Sequence, residues 1–115
     1  MFIINRYEYR NATYKGSITI DERYIRDLNE LLEHDYELSE DFKPLTMEDI
    51  HSLADHKNSD FTRRDEKVRR NGREYYLEDE LWDIINDDLW SVNFECIDYT
   101  SDDWEDEVEE EIECR

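Results

Sequence analysis

Residues 2–9 and 13–20 are rich in Ile, Tyr and Thr, and Tyr14, Ile18 and Ile20 fall on one face by alternation. The pattern predicts a hairpin that turns near Asn11. The period then lengthens. Behind Asp21, a residue suited to capping a helix, Tyr24, Ile25, Leu28, Leu31 and Leu32 recur as one helical stripe, which predicts a helix over 22–37. Ser39 to Leu45, with Pro44 inside it, reads as a connection. Thr46 with Asp49 three positions on resembles a capping box and opens a short helix that buries Met47, Ile50, Leu53 and Ala54.

Asn71-Gly72 marks a second hairpin, because a type I′ turn needs positive φ at both central residues. A two-residue loop there places Arg70 opposite Arg73, Arg69 opposite Glu74 and Val68 opposite Tyr75. Leu81, Trp82, Ile84, Ile85 and Leu89 then return to helical spacing, with Glu78, Asp79 and Glu80 placed against the positive end of the helix dipole. Over 91–99, Val92, Phe94 and Cys96 alternate as a closing strand would. Segregated hairpins and helices predict an α+β domain over 1–99, a small antiparallel sheet of two hairpins plus a closing strand packed with two to three helices. An acidic segment, 100–115, follows it as a docked helix or a strand.

Composition changes this picture in one respect. The 115 residues carry a net charge of −20, yet 37% hydrophobic and 13% aromatic residues suffice for one modest core. The charge is regional: residues 1–73 hold 16 acids and 13 bases, whereas residues 74–115 hold 18 acids and the single base Arg115. Such a surface rejects nucleic acids and anionic membranes and attracts basic proteins. No apolar run is long enough to span a membrane and no signal-peptide core is visible, so the chain is expected to stay in the cytosol where it is made. In that compartment Cys96 and Cys114 are expected to be free thiols.

Ten acids lie between Asp98 and Glu113, uninterrupted by any base. Trp104, Val108 and Ile112, spaced by four, permit a docked helix, at the cost of seven like-charge i,i+4 pairs of about 0.2–0.5 kcal/mol each. A strand remains an alternative. In either form the expected partner-binding set is Asp87, Asp88, Asp98, Asp102, Asp103, Trp104, Glu105, Asp106, Glu107, Glu109, Glu110, Glu111 and Glu113. Carboxylates there would stand in for phosphates, and Trp82, Trp90 and Trp104 would supply anchors.

In size, charge and clustered Asp, Glu, Trp and Tyr over 74–115, the chain resembles the acidic nucleic-acid-mimic inhibitors that phages and mobile elements make against restriction or CRISPR nucleases. The resemblance implies a stoichiometric inhibitor that fills the basic DNA- or RNA-binding cleft of a host defence complex. An immunity protein or antitoxin against a basic nuclease toxin is the alternative partner class, and a purely solubilising surface is the bland one.

Other chemistry finds little footing. With only Gly16 and Gly72, no glycine-rich phosphate loop can be written, and GxSxG, HExxH and CxxC are all lacking. The acidic run lacks the glycine and the Asp spacing of a calcium loop. No enzyme activity, cofactor or dedicated metal site is expected. His34, His51 and His56 are scattered, and a nucleophilic pair with Cys96 would need a coincidence of folding. The bases Arg63, Arg64, Lys67, Arg69, Arg70 and Arg73 are expected to pair internally with the acidic half or to form a self-complementary dimer contact.

Overall fold

The computed structural model describes residues 1–9, 12–55, 61–98 and 107–114, and the fold is α+β. Strands β1 (Phe2–Tyr9) and β2 (Thr13–Ile20) form the first hairpin in full register, Phe2 opposite Ile20 and Tyr9 opposite Thr13. Two further strands extend it on either side. β5 (Glu95–Asp98) pairs with β2, and β6 (Glu107–Cys114) pairs with β1, giving an antiparallel sheet in the order β5-β2-β1-β6.

One face of that sheet is covered by helices. Phe2, Ile4 and Ile20 form its buried part, with Ile18 and Ile112 packed alongside. Against them lie Ile25, Leu28 and Leu32 of α1 (Glu22–Asp35), Ile50, Leu53 and Ala54 of α2 (Met47–Ala54), and Leu77, Leu81, Ile85 and Leu89 of α3 (Leu77–Trp90). Asp21 caps α1 by accepting from the Tyr24 amide at 2.8 Å, and α1 stops two residues short of the expected end, with Tyr36 in extended backbone. Thr46 and Asp49 complete a reciprocal capping box at α2. Gly16 is required by packing: a Cβ there would lie 2.8 Å from Val92 and 2.9 Å from Phe94, the two side chains that lead into β5.

The second hairpin, β3 (Lys67–Arg70) and β4 (Arg73–Tyr76), has the predicted register, and Asn71 (φ 53°) and Gly72 (φ 77°) both take the positive φ its turn demands. It stands apart from the main sheet as a two-stranded ribbon, bridged by Glu37–Arg69 to the end of α1. Lys67 and Arg70 extend over the Tyr76 and Tyr75 rings. Within the basic run, Arg70 pairs with Glu80 of the acidic half at 3.4 Å, whereas Arg63 pairs with Glu66 and Asp49, outside that half. No described helix is long and apolar enough to cross a membrane.

Candidate functional site

The acidic C-terminal run is a strand where it is described, and the helix alternative falls away. Spacing by four does not discriminate the two, because i and i+4 share a face both in a helix and in a strand of period two. The neighbours decide. In β6 the outward acids stand about 7 Å apart instead of the about 5–6 Å of a helical i,i+4 pair, and the open edge of β1 gains a full ladder of backbone pairing.

Pairing sorts the β6 side chains. Val108, Glu110, Ile112 and Cys114 are paired with Glu8, Arg6, Ile4 and Phe2, whose face meets the helices. Glu109, Glu111 and Glu113 are paired with Tyr7, Asn5 and Ile3 on the opposite, outer face, and all three are exposed. Only the backbone of Glu107, in register with Tyr9, is described. Successive outward carboxylates are therefore about 7 Å apart, twice the rise of a strand residue.

Glu110 turns inward and anchors the strand. Its Oε1 accepts from Arg6 Nε at 3.0 Å and Nη2 at 2.7 Å, while Arg6 Nη2 also donates to Asn86 Oδ1 of α3 at 2.6 Å. The Arg6 side chain is 2% exposed, and its guanidinium lies 4.6 Å from the Trp90 ring centre. Among the described residues its Nη1 has no hydrogen-bond partner, which leaves the π-face of Trp90 as its compensation. One buried arginine thus ties β1, β6 and α3 together.

The outer face has acids on its far edge too. Glu95 pairs with Lys15 and Asp98 with Thr13, positions that share the outer face, although Glu95 and Asp98 are three residues apart. A register shift at Ile97 makes this possible: a bulge adds one residue and returns Asp98 to the side of Glu95. The two acidic edges are three strand spacings apart, about 14 Å. Between them lie Tyr7 and Tyr9, stacked 6.5 Å apart, Lys15 over the Tyr7 ring, and the Ser17–Asn5 hydrogen bond. Tyr9 donates to Glu109 at 3.1 Å and holds one carboxylate of the row.

The remaining expected partner residues divide. Asp87 is exposed on α3. Asp88 is engaged within the chain, accepting from the Tyr24 hydroxyl at 2.5 Å; burial, and then that hydrogen bond and the Asp88 charge, push the Tyr24 hydroxyl far above its ordinary value. Asp102, Asp103, Trp104, Glu105 and Asp106 lie outside the described residues. Of the tryptophans, Trp82 packs against the core and Trp90 is exposed beside Phe94 over Arg6. Glu95 was absent from the expected set, because a strand edge across the sheet is not visible as sequence proximity.

A second grouping escaped the sequence reading. His51 Nε2 of α2 lies 3.4 Å from Cys114 Sγ at the end of β6, in a groove of about 370 Å³ between the two elements. Cys96, on the opposite edge of the sheet, is not part of it, and both thiols are free.

Comparison with protein-family models, curated proteins and solved structures finds no match to this chain.

Proposed function

We propose that this protein is a stoichiometric inhibitor that presents the outer face of its main sheet to a basic, nucleic-acid-binding surface of another protein, as acidic nucleic-acid mimics do. The observation that carries the reading is the pair of carboxylate edges, Glu109, Glu111 and Glu113 on β6 and Glu95 and Asp98 on β5, on one face of a single sheet. Their separation of about 14 Å is on the scale of the major groove of duplex DNA, which is roughly 12 Å wide and flanked by its two phosphate lines. A protein that grips nucleic acid through two lines of Lys and Arg finds a matching pair of lines here, with a Tyr and Thr floor between them.

Rigidity supports the same reading. Phosphate positions are imitated only if the carboxylates are held in place, and Glu110 fastens β6 through Arg6 to α3, while the register shift at Ile97 sets Asp98 on the outer face. A tail present only to keep the chain soluble needs neither device. Association is steered by the net charge of −20 and weakens with salt.

The test is retention of nucleic-acid-processing proteins on the immobilised chain, eluted by a salt ramp and by competing duplex DNA or guide RNA. The expected result is a basic nucleic-acid-binding protein that competitor displaces. It is not retained by a variant with Glu109, Glu111 and Glu113 changed to Gln, which keeps the shape and removes three charges. Retention that survives in that variant overturns the proposal.

A further inference from the structure

The groove between α2 and β6 follows an open edge of the sheet. Among the described residues no strand pairs with the far side of β6, the last strand in the order β5-β2-β1-β6. Side chains of a strand alternate between its faces, yet four successive residues, Glu109, Glu110, Glu111 and Ile112, line the groove opposite His51 and Ala54 of α2. Successive residues share one wall only where the main chain itself forms it. The groove therefore runs along the backbone of β6, where every second N–H and C=O points away from β1 as a template for another extended chain. From Glu109 to Cys114 this edge is about 17 Å long, room for about six residues in a strand.

The two faces of β6 specify what such a chain carries. On the helix side Val108 is 44% exposed and Ile112 is half-buried against the core, so both have apolar surface left for a neighbour along the edge. On the outer side Glu109 and Glu111 are exposed, and the Tyr9 hydroxyl that donates to Glu109 offsets no charge. Glu110 is held by Arg6, and Glu113 and Asp55 have interactions of their own. A residue paired across from Glu109 or Glu111 in an added strand has its Cβ about 4.5–5.5 Å away, where an opposite charge is favoured and a like charge is not.

We propose that the groove takes an extended segment of another protein as a fifth strand on β6, a segment that alternates Lys or Arg with apolar residues. Its main chain continues the ladder, its bases stand across from Glu109 and Glu111 on the outer face, and its apolar side chains lie beside Val108 and Ile112, next to α2. In strand addition of this kind main-chain hydrogen bonds supply the affinity and alternate side chains the specificity. The acids act as a filter: like charge turns away a second copy of β6, and a basic strand is admitted.

The probe is the capped peptide Lys-Val-Arg-Val-Lys-Val-Arg, titrated onto the full chain by calorimetry. A counterpart with Glu in place of every Lys and Arg is expected not to bind. A strand sends alternate N–H groups to opposite edges, so two N-methylated isomers are compared, one methylated at every Val and the other at every Lys and Arg. One isomer is expected to bind at least about tenfold more weakly than the parent and the other within about threefold of it, because only one set of N–H groups donates to β6. His51→Trp keeps a ring against Phe2 and fills the groove, and is expected to weaken binding of the parent peptide at least about tenfold. Equal affinities of the two isomers overturn strand addition, as does undiminished binding to His51→Trp, and equal binding of the Glu counterpart overturns the selectivity. Methylation and His51→Trp leave the carboxylates of the outer face in place, so failure in either leaves the reading of that face untouched.

Discussion

If Arg6 ties β6 to the fold, removing the charge of Glu110 must cost far more than a surface substitution. Breaking a buried ion pair by deleting one partner costs about 3–5 kcal/mol, because the other charge is left behind in a poor solvent. In Glu110→Gln the amide oxygen still accepts from Arg6, Asn86 remains in place and the Glu110 side chain is 18% exposed, so the expected loss is smaller, about 2–3 kcal/mol. Arg6→Met fills similar volume and leaves Glu110 able to reach water, and costs about 1 kcal/mol. The double variant should then lose about 1 kcal/mol as well, a coupling of about 2–3 kcal/mol between the sites. Urea unfolding followed by tryptophan fluorescence measures all three, since Trp90 lies against the guanidinium. Amide exchange adds a local readout: β6 should open more readily in Glu110→Gln while α1 keeps its protection. A loss below about 0.5 kcal/mol in Glu110→Gln, or strict additivity in the double variant, would refute the anchoring argument.

Three other expectations concern stability. Burial acts to raise the Asp49 carboxyl, but the Thr46 amide, the Thr62 and Thr46 hydroxyls and Arg63 outweigh it and hold the carboxyl below the ordinary Asp range. A depressed folded value means that its contribution is complete above the unfolded value of about 3.9 and is lost as pH falls through the folded one. Asp49→Ala should therefore cost about 1–2 kcal/mol at pH 7 and progressively less below about pH 4, as measured by unfolding across that range. Gly16→Ala should cost about 1–3 kcal/mol by forcing Val92 and Phe94 aside, and should loosen β5 in amide exchange. Gly72→Ala meets nothing within 4 Å, so its cost of about 1 kcal/mol is purely the strain of φ +77° and should be confined to the β3–β4 hairpin.

The local rules were legible wherever one physical effect dominated. Asn71-Gly72 fixed a turn and hence a register, Thr46 with Asp49 fixed a helix start, and the stripe of Ile25, Leu28 and Leu32 fixed a buried face. What could not be read was pairing at a distance. Val108 and Ile112 fit a helix and a strand alike, and only the unpaired edge of β1, about a hundred residues away, breaks the tie. For the same reason Glu110 was grouped with its exposed neighbours: nothing in its own segment says that Arg6 stands opposite. Glu95 and the contact of His51 with Cys114 needed the same long-range knowledge, the first of strand order and the second of where α2 crosses the end of β6.

An acidic edge strand also has a duty that involves no partner. Edge strands invite pairing with other chains, and charge along the edge prevents it. Protection of that kind is satisfied by charge on either face of the β6 backbone, whereas β5, the other edge, is at four residues short enough to be a poor template without it. Presentation of two phosphate-like lines requires Glu95 and Asp98 as well, on β5, on the same face, and in Asp98's case only because a bulge puts it there. The two duties therefore separate by experiment. Changing Glu95 and Asp98 to Gln and Asn, with β6 untouched, should leave solubility unaltered and weaken partner binding. Removing the acids of β6 alone should weaken binding and also promote self-association, visible by light scattering. If β5's acids prove silent in both assays, the acidity of β6 is protective and the outer face has no paired lines to offer.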